Sequence, residues 1–284
     1  MPVPNNPATR LALILQSLMR QDDNQTILQS MKRVFGEPST RQLYLMIGEL
    51  HALPEQIESL ILEHADEDHY EISDLLSWRT AVGTALSAAH ALGNPTSTMV
   101  KHYKSEHIAG LKFCGGVLSS AGIERRTDPE VLDDLYSRTN DLYIEVMQDS
   151  QIPSDLRTFI CDQLDRIRLA LREFTIRGPE ALDEALNQIA GAVVRNQRIA
   201  ADANETSQTF LERLGAILDL GEKIVNTAKT IGEATPAIVT AGGVLLAVLN
   251  GEHQPELPPA EPAVIVIDQV PDSVTDGAAV SGGR

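Results

Sequence analysis

The stretch ATPAIVTAGGVLLAVLNG, residues 234–251, lies between Glu233 and Glu252 and carries no charge. No other segment of the chain is apolar for so long. Two structures compete for it. A membrane span needs roughly 20 mostly apolar residues, with about 17 as the lower limit, so its length is marginal. Seven strongly apolar residues, Ile238, Val239, Val244, Leu245, Leu246, Val248 and Leu249, favour insertion by ~2–4 kcal/mol together. Thr235, Pro236, Thr240, Asn250 and the Gly242-Gly243 pair oppose it. The competing reading is a core helix ended by Asn250-Gly251. In either solvent Ala237, Ala241, Gly242 and Gly243 suit close approach by another helix. Ile238, Val239, Gly242, Gly243, Leu245, Leu246 and Leu249 are therefore the candidate contacts for a membrane or a partner helix.

The residues before it share its logic. Phe210, Leu214, Ile217, Gly221, Ile224, Ala228 and Ile231 follow a 4-3-4-3-4-3 spacing, a heptad seam. Leu211, Leu218 and Val225 widen that stripe. A wide stripe packs into its own domain more often than it forms a separate coiled coil. If the apolar stretch inserted, Lys223 and Lys229 upstream would hold the body on the cytoplasmic side, because the next basic residue downstream is Arg284.

Composition sets the fold class. The chain has 284 residues, 43% of them hydrophobic but only 4% aromatic. Its core must be built of Leu, Ile, Val and Ala, which with abundant Glu, Gln and Arg favours helix. The expectation is an all-α multi-helix bundle of about nine or ten helices, a hydrophobic C-terminal helix and a disordered acidic tail. A net charge of −17 keeps the chain soluble and repels nucleic acid, so nucleic acid is not an expected partner. Cys114 and Cys161 sit in apolar helical contexts and read as buried reduced thiols. Leu11 to Leu15 is too short for a signal-peptide core, so the expected location is the cytoplasm, at most peripheral to or anchored in the inner face of a membrane.

Along the chain, caps and apolar faces mark the helices. Pro7 opens the first, with Leu11, Ile14, Leu15 and Leu18 on its face. Asp23 or Asn24 caps the second, which Gly36 stops. Ser39 caps a third and Pro54 opens a fourth, joined by the turn Leu50-His51-Ala52-Leu53. That spacing resembles a helix-turn-helix, but its second helix would show Glu55, Gln56, Glu58 and Ser59 to DNA, with no Arg or Lys. Glu63 to Glu71 gathers five carboxylates and two histidines. His64 and His69 are five apart, wrong for one helical face, and the run reads as a solvated linker. A long helix from Tyr70 to Leu92 follows, carrying Trp78, whose indole N–H needs a partner if buried. Lys101, His102, Lys104, His107 and Lys112 form a basic island, the candidate site for a small anion. Gly115-Gly116 marks a helix break or a close crossing. Arg125-Arg126-Thr127 is the candidate boundary between an N-terminal bundle, 7–122, and a C-terminal region, 128–251. Asp128-Pro129 and Pro153-Ser154-Asp155 start helices, and Gly178-Pro179 is an abrupt joint. Residues 252–284 hold six acidic groups and five prolines, a composition that builds no core. Within them Ala263 to Ile267 is a short β-like run able to add to a partner's sheet edge.

No GxSxG, HExxH, CxxC or SxxK motif occurs, and no phosphate-binding glycine loop. No catalytic residue, metal site or cofactor is expected. The leading reading is a non-enzymatic protein whose body controls its apolar C-terminal helix, which engages a membrane or a protein partner, a second copy included. The alternatives are a soluble helical scaffold with 234–251 as a core helix, and an enzyme or sensor for a small anion at 101–112.

Overall fold

In the computed structural model apolar faces of three- and four-residue spacing lie on helices throughout, and side-chain caps start four of them, at Asn6, Thr26, Ser39 and Asp128. The structure describes residues 6–66, 68–124, 127–196, 205–228 and 241–249. These are all-α, with ten helices of eight or more residues and two of four. In chain order they are α1 (Pro7–Leu18), α2 (Ile27–Val34), α3 (Thr40–His64), α4 (Ile72–Leu75), α5 (Arg79–Ala88), α6 (Ser97–Val100), α7 (Ser105–Ser120), α8 (Pro129–Gln148), α9 (Ser154–Arg177), α10 (Pro179–Arg195), α11 (Glu205–Ala228) and α12 (Ala241–Leu249). The tail 252–284, including the run at 263–267, lies outside the described residues.

Several starts and stops obey local chemistry. Asn6 caps α1, accepting from the Thr9 N–H at 3.0 Å, with Pro7 at the first helical position. Ser39 and Gln42 form a capping box at α3. Asp128 caps α8 through the Glu130 N–H. Gly36, at φ +74°, follows the end of α2. Gly178 separates α9 from α10 at φ +66°.

Three expectations need correction. Thr26, not Asp23 or Asn24, caps α2, because Gln29 completes a capping box with it while Asp22 ties its own turn through the Asn24 N–H. Leu50-His51-Ala52-Leu53 is not a turn: α3 runs unbroken through Pro54. An interior proline costs a helix about 3 kcal/mol. Here Leu43, Met46, Ile47, Leu50, Leu53, Ile57 and Ile61 are all buried, a continuous apolar face that outweighs the lost bond, and no helix-turn-helix results. The helix foreseen from Tyr70 to Leu92 is broken at residues 76–78 into α4 and α5. The break sends Trp78 into the core, where its indole N–H donates to Cys114 Sγ at 3.4 Å.

Two hydrophobic clusters organise the packing. One runs from Ala8 to Ile123 and takes in Ile176; the other runs from Leu135 to Leu245. α1 lies on α7 and α3, and it also meets α9. The α1–α7 crossing is close because position 115 is glycine: a Cβ there would stand 2.3 Å from Thr9 Oγ1. Gly115-Gly116 is thus a close crossing inside an unbroken helix. In the second cluster α9 lies on α8 and α10, and α11 on α8 and α10. Both cysteines are free and buried.

Candidate functional site

The site begins with α11. Phe210, Leu214, Ile217, Ile224 and Ala228 of the heptad seam are buried, as are Leu211, Leu218 and Val225 beside them. A stripe this wide faces several neighbours at once, and α11 packs on α8, α9 and α10 within its own chain. Arg213 fixes the register of α11 on α8 through a two-pronged pair with Glu145. That contact holds the Glu145 carboxyl below its ordinary range, with the Arg213 hydrogen bond as the leading cause. Ile231, the last residue of the seam, lies outside the described residues.

Of the uncharged stretch, 241–249 forms α12, while Ile238 and Val239 lie outside the described residues. α12 packs against both α10 and α11. Ala241 and Leu245, four apart and so on one face, are buried in the second cluster, and Gly242 is buried beside them. Leu246 and Leu249 belong to the same helix. The helix start is held by charge: the Ala241 N–H donates to Glu222 Oε1. A Cβ at residue 242 would fall 1.9 Å from Asp219 Oδ1 and 3.2 Å from the Gly215 carbonyl. Two carboxylates one turn apart on α11 therefore sit at the positive end of the α12 dipole. Only a residue without a side chain admits that approach. The other side of α12 carries Gly243, which is exposed, and Ala247, which is half-buried.

The basic island gathers around the start of α7. Lys101, Lys104 and Lys112 are exposed, and His102 and His107 are half-buried. His107 Nδ1 accepts the Lys104 backbone N–H at 3.0 Å, so its ring closes the first turn of α7. Lys112 Nζ donates to Gln16 Oε1 of α1 at 3.2 Å. His64 ends α3, while His69 pairs with Asp66 in the following turn. Among the described residues no three His, Cys, Asp or Glu side chains are placed to hold a metal ion.

Two features escaped sequence reasoning. Arg10 is fully buried, its guanidinium on both oxygens of Glu124 and its Nε 2.8 Å from the Ile176 carbonyl. Burial pushes the Glu124 carboxyl above its ordinary range against the pull of Arg10. Arg177 sits among Glu49, Glu173, Glu180 and Glu184. In sequence Arg10 is one polar residue beside an apolar face, and Glu124 is 114 residues away, so nothing local announces the pair.

No family model, curated protein or solved structure matches this chain. Among the described residues no helix is long and apolar enough to cross a membrane.

Proposed function

We propose that this chain is a non-enzymatic interaction protein whose helical body holds the apolar helix α12 in place for a partner helix, in the simplest case from a second copy. The observation that carries the reading is the two-sidedness of α12. Ala241 and Leu245 are buried against the body, while on the other side, also four apart, Gly243 is exposed and Ala247 half-buried. Small residues at that spacing let a second helix approach closely. The body regulates the helix through Asp219, Glu222 and the α10–α11 surface, on which α12 rests. Sedimentation velocity of the full-length protein over rising concentration tests the reading, with Gly243→Arg as comparison. A concentration-dependent dimer that the substitution abolishes supports it. A monomer at every concentration, unchanged by Gly243→Arg, counts against the second copy as partner.

A second reading sends the stretch into a membrane. It is favoured by the absence of charge from Ala234 through Gly251. It would make the protein a peripheral one at the inner face of a membrane, and flotation with liposomes separates it from the first.

A further inference from the structure

A cleft of about 340 Å³ opens between α1, α8 and α9, away from every residue of α11 and α12. Its walls are mainly apolar, with Leu13 and Ile14 of α1, Leu132 of α8 and Leu171 and Phe174 of α9, and Ser17 and Thr175 also line it. Ligand cavities of about 300–1,000 Å³ with apolar walls and a few convergent polar groups are the usual form of a small-molecule site. At about 30 Å³ for each water-sized volume, 340 Å³ has room for roughly ten heavy atoms.

The polar groups decide the chemistry. Two arginines reach the cleft, Arg10 and Arg172. Arg10 is fully engaged by Glu124 and the Ile176 carbonyl. Arg172 is half-buried, and its one hydrogen bond is to Gln42 Oε1 at 3.5 Å, the outer limit of such a contact. Among the described residues it has no carboxylate partner, whereas Arg177, five residues on, has four. In a chain of net charge −17, a guanidinium left without an acid beside an apolar cleft is an open anion contact. The planar guanidinium fork matches a carboxylate in two parallel hydrogen bonds. Tyr136, 41% exposed, stands at the edge of the same cleft with its phenol as a further donor. Asp133, exposed at the rim, works against an anion and limits its affinity.

We propose that the cleft between α1, α8 and α9 binds a small amphipathic carboxylate, its apolar part against Leu13, Leu132 and Phe174 and its head group on Arg172. α1 belongs to the first hydrophobic cluster, and α8 and Phe174 to the second. An occupant therefore bridges the two clusters and stabilises the body against heat, since a ligand that binds only the folded state raises its stability.

Octanoate, with ten heavy atoms, is the probe, and 1-octanol is its uncharged comparison. Both are titrated into full-length protein by calorimetry, and thermal unfolding is followed alongside. The expected result is saturable octanoate binding that raises the melting temperature and exceeds octanol binding about tenfold or more. Arg172→Gln should abolish that preference without changing octanol binding, and Asp133→Asn should strengthen octanoate binding. Absence of octanoate binding at millimolar concentration overturns the proposal. So does octanoate binding that Arg172→Gln leaves intact, or that Asp133→Asn leaves unchanged or weakens. None of these outcomes touches α12, so failure here is distinguishable from failure of the docked-helix reading.

Discussion

Arg10 shows what a single side chain does for this body. It is fully buried, and Glu124 accepts both of its terminal nitrogens. Glu124 holds a left-handed backbone at φ +47° to reach it, a conformation that costs an L-residue about 1–2 kcal/mol. Removing one partner of a buried pair is worse than removing both, because it strands a charge. Glu124→Leu should therefore destabilise the protein by about 3–5 kcal/mol in urea unfolding. Adding Arg10→Met should recover most of that loss. A second residue-scale prediction concerns pH. His51 stacks on His90 with ring centroids 4.4 Å apart. Burial pulls the His51 pKa below its ordinary value, the nearby His90 adds to the effect, and a backbone hydrogen bond at Leu86 opposes it. The unfolded chain then takes up a proton before the folded one. Stability is complete above about pH 6.5, the ordinary histidine value, and declines as pH falls from there toward the lowered folded value. His51→Gln should flatten this part of the acid limb in urea titrations at stepped pH.

At the scale of the element, the docking of α12 rests on Leu245 at its centre and Gly242 at its start. Truncating a fully buried leucine costs about 2–5 kcal/mol, so Leu245→Ala should release α12. Gly242→Ala should do the same by steric means, since its Cβ would meet both Asp219 and the Gly215 carbonyl. Amide hydrogen exchange in 241–249 should speed up in both variants while that of α7 stays slow. Equal exchange in wild type and variants would show that α12 is not held by these contacts. The elements themselves were largely legible in the sequence. Pro7, Ser39, Asp128-Pro129 and Gly178-Pro179 announce helix boundaries because their capping chemistry is local. Pro54 misleads because a local rule is overridden by an apolar face that continues through it from Leu50 to Ile57. The break at 76–78 is not legible because the partner that the Trp78 indole finds in the core, Cys114, lies 36 residues away. For the same reason the heptad seam on α11 was readable, whereas the two carboxylates at the start of α12 were not: their spacing means nothing until α12 folds back onto them. The cleft beside Arg172 is assembled from four helices, α1, α2, α8 and α9, and has no signature in any one of them.

For the whole molecule, the question is whether the two hydrophobic clusters act together. α9 meets α1 and α3 across them, Ile176 packs in the first cluster, and Arg10 donates to the Ile176 carbonyl. Trp78, the only tryptophan, is fully buried in the first cluster and reports on it alone. Its fluorescence and the far-ultraviolet circular dichroism of the whole chain should lose signal in one coincident urea transition. Two separated transitions would mean that the clusters unfold independently. The measurement that tests the central claim most directly compares the full-length protein with a chain ending at Glu233, in urea unfolding and in liposome flotation. A docked α12 predicts that the shortened chain unfolds at lower urea concentration and that neither chain floats. Equal stability of the two chains, with flotation of the full-length protein alone, would contradict the account and assign residues 234–251 to the membrane.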